Sequence, residues 1–318
     1  MLKILCLITL FIFTQSFAQT VKNKPNNITY KVDEKEVAQF LKTLSSDEFA
    51  GRESGTAGIE KAAIFLEQFF KQNNIKPYFK TYCDTLSNFE GVTYNIVGYL
   101  EGNDPVLKNE FIVLGGHYDH IGVSDQDSGT DKINNGANDD ASGVTAVAAM
   151  AKYFSTTKSN KRSILFCFFS GEEKGLLGST HLAKKLKNKG FNLYAMLNFE
   201  MIGVPMKRDY LSYITGFDTS NMVDKLNAYS GKKLIGFLPK EAEYQLFSRS
   251  DNYPFYNQFN VPAQTVSTFD FANFDFYHHV DDEFDKMDTA HMANFIQSFI
   301  PVVEKMTNAA TKEIVLKN

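Results

Sequence analysis

Cysteine is scarce in this 318-residue chain: the three present are Cys6, Cys83 and Cys167, too few to hold a small scaffold together with disulfides. Cys167 lies inside an apolar run at 163–169, where a free buried thiol is expected; a Cys83 to Cys167 bridge stays open. An excess of one charge is missing too. The 33 Lys and Arg stand against 37 Asp and Glu, a mildly acidic balance that argues against nucleic acid or an anionic membrane as partner. No apolar run reaches the ~20 residues that span a bilayer. There is no internal repeat and no linker whose composition divides the chain.

What is present begins at the N-terminus. Lys3 is the one charge in residues 1–18; an apolar run at 4–13, interrupted by Thr9, is followed by Ser16, Phe17 and Ala18. This is the pattern of a secretory signal peptide, and a run of about ten residues is too short for a stable membrane anchor. Cys6 stands near the start of the run, whereas a lipid-acceptor cysteine would have to emerge at its end. The mature chain is therefore expected to start near Gln19, to be exported to the periplasm or the extracellular space, and to carry a formal charge of −5, one below the −4 of the full chain. Residues 19–32 are polar and rich in Asn and Lys, a flexible leader. Residues 33–318 are read as one domain.

Within that domain Asp33 reads as the N-cap of a helix with Val37, Phe40 and Leu41 at helical spacing. A glycine-punctuated loop at 50–58 leads into a second helix with Ala62, Phe65, Leu66 and Phe69 on one face. Short β-type runs at 95–99, 111–114, 163–169 and 195–199 then alternate with helical patterns near 144–154 and 177–186. A helix over 220–229, a strand over 261–267 and a closing helix over 287–306, with Pro301 as a kink point, complete the chain. This order predicts an α/β fold, a three-layer sandwich with a central mixed, mostly parallel sheet and helices on both faces. The apolar runs at 112–114 and 164–169 fit strands covered on both sides. Phe269, Phe271, Phe274 and Phe276 either line the substrate pocket or form core, and their strand-like alternation favours core.

Polar residues gather just past the strand ends, where open α/β sheets bind ligands. His117 follows a buried run, with Asp119 close enough to receive its second ring nitrogen. Asp139 and Asp140 precede an apolar helix; Asp140 or Ser142 suits a capping role, which leaves Asp139 free to bridge cations. Glu172 and Glu173 are adjacent at a strand end, where like charges repel unless a cation is near; one can bind metal while its neighbour faces the activated water. Glu200 interrupts an apolar strand end, and a half-buried carboxylate needs a partner. His278 has Asp282 close behind it as an orienting partner. Oxygen and imidazole donors without thiolate suit zinc and tolerate cobalt or manganese.

In these segments, in their order and spacing, the chain resembles the dizinc exopeptidase family of secreted bacterial leucine-type aminopeptidases, whose relatives include glutamate carboxypeptidase and the glutaminyl cyclases. The resemblance runs from about Asp33 to Asp288. It implies two zinc ions, with His117 and Glu200 on one, Glu173 and His278 on the other, and Asp139 between them. It also implies Glu172 as general base, Tyr277 as a phenol that steadies the developing oxyanion, and Arg249 and Asp251 on the substrate side. Two positions depart from the family pattern: Glu200 stands where many members have Asp, and Asn252 where His often stands. The activity so implied is removal of N-terminal residues from peptides with a free N-terminus. Glutaminyl cyclase, carboxypeptidase or dipeptidase chemistry on the same scaffold, and a non-catalytic receptor-like binding domain, are the alternatives.

Overall fold

The chain enters its fold at α1 (Glu34–Leu44), and the start is set locally. The Asp33 carboxylate accepts from the Lys35 N–H at 2.9 Å, which satisfies a donor that a helix start leaves open, and Val37, Leu41 and Leu44 form its buried face. The computed structural model describes residues 30–124 and 131–317; the expected signal peptide, and the leader as far as residue 29, lie outside them. Next come α2 (Ala57–Gln72), β1 (Lys76–Pro77), β2 (Cys83–Thr85), β3 (Tyr94–Leu100), β4 (Phe111–His117), α3 (Gly143–Thr157), β5 (Ser163–Phe169), α4 (Leu177–Asn188) and β6 (Leu193–Phe199). The second half adds β7 (Ser212–Ile214), α5 (Met222–Ser230), β8 (Ile235–Gly236), α6 (Lys240–Glu243), α7 (Asn252–Phe259), β9 (Ala263–Ser267) and α8 (Thr289–Asn308).

The strands form one sheet in the order β1-β3-β5-β4-β6-β9-β7-β8, with β2 also paired to β3. At its centre β5, β4, β6 and β9 run parallel. At the flanks β3 is antiparallel to β5 and β7 antiparallel to β9. The expected mixed sheet is present, with its main parallel block confined to the middle. The reason is in the connections: parallel strands need a crossover of a dozen or more residues, which α3 supplies between the neighbours β4 and β5, while α4 carries the chain from β5 across to β6 on the far side of β4. The β1 to β3 stretch has no helix.

Every residue of β5 is buried, and the pleat sends alternate side chains to opposite layers. Leu165, Cys167 and Phe169 join Leu182 and Leu186 of α4 and Phe255 of α7 in one core. Phe168 points the other way and stacks on Phe70 of α2, with ring centroids 5.0 Å apart. Helices α1, α3, α5 and α8 pack with one another on their own layer. Both described cysteines are free, so the bridge left open is not formed. Cys83 instead donates to Glu67 Oε1 at 2.9 Å, and burial together with that carboxylate pushes its thiol up to about 12.

Three features differ from the expectations. The segment after Asp251, for which no helix is expected, is α7; Pro254 falls in its first turn, where a missing N–H costs nothing. The closing helix spans Thr289–Asn308, two residues past its expected end, with Pro301 inside it. The aromatic stretch from Phe269 is not a strand, because Asp270 and Asn273 close a turn: Asp270 N–H donates to Asn273 Oδ1 and Ala272 N–H to Asp270 Oδ1. Phe269 and Phe274 are buried in the core as expected, and Phe269 also lines a cleft together with Phe271.

Candidate metal centre

The parallel block brings its carboxyl ends to one edge. His117 is the last residue of β4, Glu172 and Glu173 follow β5, and Glu200 is the first residue after β6. Asp139 sits in a turn over Ala137–Ser142 ahead of α3, with extended rather than helical backbone (φ −106°, ψ 98°). That turn is possible because Gly136 has φ 55°, and a Cβ there would strike the Asp139 carbonyl and lie 2.6 Å from the His120 ring. The Asp139–Asp140 peptide is cis.

Asp140 is fully buried and ties three loops together. Its Oδ1 accepts from the N–H groups of Gly143 and Met201 at 3.0 Å each, and its Oδ2 from the His117 N–H at 3.1 Å. The expected capping role is there, at Gly143, and extends to the strand ends that carry His117 and Glu200. Ser142 Oγ accepts from the Ile202 N–H, and Asn138 Oδ1 from the Gly203 N–H.

Five expected ligands and the expected base meet on this frame. Asp139 presents Oδ1 to His117 Nε2 at 3.1 Å and Oδ2 to His278 Nε2 at 3.2 Å. His278 Nε2 is also 3.1 Å from Glu173 Oε2, and one donor atom each from His117, Asp139 and Glu173 lie within 4.8 Å of one another. Glu200 and Glu172 line the same cleft, of about 460 Å³, and the Glu200 carboxylate accepts from Ser250 Oγ.

The donor chemistry fits a cation. His117 Nε2 is buried and makes no hydrogen bond, although a carboxylate oxygen lies 3.1 Å away; a nitrogen and an oxygen facing each other so are ready to ligate one ion. Charge points the same way. Burial holds Glu172 well above the usual carboxylate range, helped by the negative charges of Glu200, Asp251 and Glu173. Burial likewise lifts Glu200 to about 7. Burial alone would depress His278, but its contacts with Asp139 and Glu173 raise it to about 10. Burial and Asp139 work against ionisation of Glu173, yet the bonds to His120 and His278 hold it at about 2. Buried carboxylates that outnumber their cationic neighbours are what a divalent ion neutralises.

The supporting residues depart from expectation in three places. Asp282 does not orient His278: its oxygens accept from the Asn138 and Asp139 N–H groups at 2.8 and 3.0 Å, so it positions the central carboxylate. Asp251 is not on the substrate side; it is fully buried, with no hydrogen bond to its carboxylate and no part in the cleft lining. Burial raises it to about 7. Asp119 is close to its expected place, with Oδ1 3.7 Å from His117 Nδ1, but the Asp119 carbonyl is nearer at 3.1 Å, and the carboxylate accepts from Glu172 N–H and Ser54 Oγ. Arg249 and Tyr277 line the cleft as expected; the Tyr277 ring stacks on His278 at 4.0 Å.

Two further residues were passed over. His120 is buried, with Nδ1 2.9 Å from Glu173 Oε1, and so leaves Oε2 of that carboxylate for the centre; its place three residues after His117 was the available signal. Arg52 is completely buried and donates to the carbonyls of Tyr118, Leu44, Asn135 and Gly136, which joins the end of α1 to the loops of His117 and Asp139. Burial lowers it to about 10, against the pull of Asp282 and Asp119.

An α/β sheet with imidazoles and carboxylates gathered at its carboxyl edge is the frame of a metal-dependent hydrolase. The chain belongs to Peptidase family M28, a family of metallopeptidases, whose profile matches residues 95–303. A "Probable leucine aminopeptidase 2" of Aspergillus fumigatus is 35% identical over 114 residues, 36% of this chain and 20% of that relative. The chain spans between 20% and 24% of the length of the first curated relatives it matches. Among solved structures, a Zn-dependent exopeptidase from Parabacteroides distasonis superposes with a TM-score of 0.66 at 16% identity, covering 88% of this chain and 99% of the other. The glutaminyl cyclase of Porphyromonas gingivalis does so with the same TM-score of 0.66 at 17% identity, covering 87% and 100%. At such identities the likeness is one of fold.

Proposed function

We propose that the chain is an exported zinc-dependent aminopeptidase acting on peptides with a free N-terminus. One observation carries this reading: the two oxygens of buried Asp139 each face a different imidazole, His117 and His278, at 3.1 and 3.2 Å, as a carboxylate shared by two ions requires. His117 and Glu200 would hold one zinc, Glu173 and His278 the other, and Asp139 both; cobalt or manganese would substitute. When bound, the metals supply Lewis-acid polarisation of the peptide carbonyl and lower the pKa of a water. Glu172 makes no side-chain hydrogen bond among the described residues, and its basicity is raised by burial. It takes the proton of the attacking water and returns it to the leaving amine. The Tyr277 phenol, at the cleft and stacked on His278, donates to the developing oxyanion. The surplus of carboxylates receives the ammonium of the substrate. Export rests on the pattern of residues 1–18.

Elemental analysis of the full chain, with turnover of an aminoacyl chromogenic substrate and its N-acetylated counterpart, tests the reading. Two zinc ions per chain and cleavage of the free-amine substrate alone are expected. Cleavage of the blocked substrate would show that no free amine is needed and would overturn the aminopeptidase assignment. One zinc together with cyclisation of an N-terminal Gln would replace it with the cyclase chemistry that the equal fold likeness keeps in view.

A further inference from the structure

The residues lining the metal cleft include four carboxylates, of Asp139, Glu172, Glu173 and Glu200, but a single Arg or Lys, Arg249. Arg249 is exposed, and its side chain makes no ion pair or hydrogen bond among the described residues. Its base is fixed: the Arg249 N–H donates to the Leu246 carbonyl at 3.2 Å, which closes the short turn Leu246–Ser248. The next residue, Ser250, donates to Glu200, so Arg249 stands on the wall beside the metal centre, one Cα step of ~3.8 Å from a residue that touches it.

Three of the four cleft carboxylates are engaged by other groups, and Glu172, the fourth, forms no ion pair with this guanidinium among the described residues. Glu200 is engaged by Ser250, Glu173 by His120 and His278, and Asp139 lies between His117 and His278. Asp251, two residues on, is buried behind the cleft. The aromatic wall of Phe269, Phe271 and Tyr277 offers surface without charge. A guanidinium is a planar fork of donors that matches a carboxylate in two bonds. With a substrate ammonium drawn to the acidic centre, a negative group on the same small substrate meets Arg249.

We infer that Arg249 recognises a carboxylate on the substrate, so that the cleft selects acidic small peptides: those whose first residue is Asp or Glu, or dipeptides with a free C-terminus. This rests on the peptidase reading and adds the substrate class. The full zinc-loaded chain is to be assayed on two matched pairs, glutamyl against glutaminyl p-nitroanilide, and Ala-Ala against its C-terminal amide. The charged member of one pair should be favoured in kcat/KM by at least about tenfold, as expected for a charge-assisted bidentate contact, and the pair that shows it identifies which carboxylate is read. Arg249→Gln should erase that ratio by lowering kcat/KM more for the charged member than for the neutral one, and Arg249→Lys, which keeps the charge without the fork, should retain part of it. Turnover with no preference for the charged member of either pair overturns the assignment while leaving the peptidase reading standing. So does an equal loss on charged and neutral substrates in both variants with melting temperature unchanged. No turnover of any of the four substrates overturns the peptidase reading and this inference with it.

Discussion

Glu172 and Asp139 stand close together in one cleft but answer differently to substitution. Glu172→Gln removes a base and no expected ligand, so zinc content should stay near two per chain while kcat falls by at least ~10²; near-parental turnover would exclude it as the base. Asp139→Ala takes one oxygen from each of two imidazole partners, and elemental analysis should show metal lost along with activity. Full occupancy in that variant would contradict the shared carboxylate. Arg52→Ala leaves the buried carbonyls of Tyr118, Leu44 and Asn135 without their donor, while that of Gly136 keeps the Ala141 N–H, at a cost of at least about 3 kcal/mol in urea unfolding. Of the five side chains brought together here, His117, Glu173 and Glu200 stood out in the sequence as charged or imidazole groups at the ends of apolar strands, whereas Asp139 stood out ahead of an apolar helix and His278 in an aromatic stretch with carboxylates behind it. Arg52, His120 and the target of Asp282 were not legible, since their partners lie 83, 53 and 144 residues away in the chain, and no local pattern records which backbone groups a folded loop will bring to them.

The strands and helices were legible to the extent that they are long. β5 was bounded correctly from its continuous apolar run, and the same burial on both faces predicts the effect of a truncation there. Phe168→Ala should cost about 3–5 kcal/mol, since its stacked partner Phe70 is itself fully buried and the space does not collapse; a loss below about 1 kcal/mol by chemical denaturation would mean that the layer relaxes freely. The two- and three-residue strands β1, β2, β7 and β8 carry no period to read. The helix α7 was hidden by Pro254, which usually signals the end of a helix and here occupies its opening turn. The phenylalanine alternation from Phe269 misled because the asparagine and aspartate between them turn the backbone, a competition that side-chain hydrophobicity alone does not show.

For the whole molecule, the buried charges set how stability depends on pH. Burial raises Glu200, Asp251 and Asp282 to about 7, against ~4 in an unfolded chain. The folded state then holds protons that the unfolded state releases, so their contribution is complete below ~4 and is lost as pH rises through about 7. His278 works in the same direction, complete below its unfolded value of ~6.5 and lost as pH rises through about 10. Glu173, held at about 2, has the opposite sign, and its contribution is lost only on the acid side. Metal ligands bind deprotonated, so zinc affinity rises with pH. Between about pH 5.5 and pH 8.5 the melting temperature of the chelated protein should therefore fall while the increment on adding zinc grows; a chelated form that becomes more stable across that window would refute the assignment. The carboxylate of Asp140, clamped on three backbone amides from separate loops, has a last consequence for how the ions are taken up. The receptor geometry is preorganised before any ion arrives, so loading should be a diffusive, second-order event whose rate scales with zinc concentration and shows no slow ordering phase.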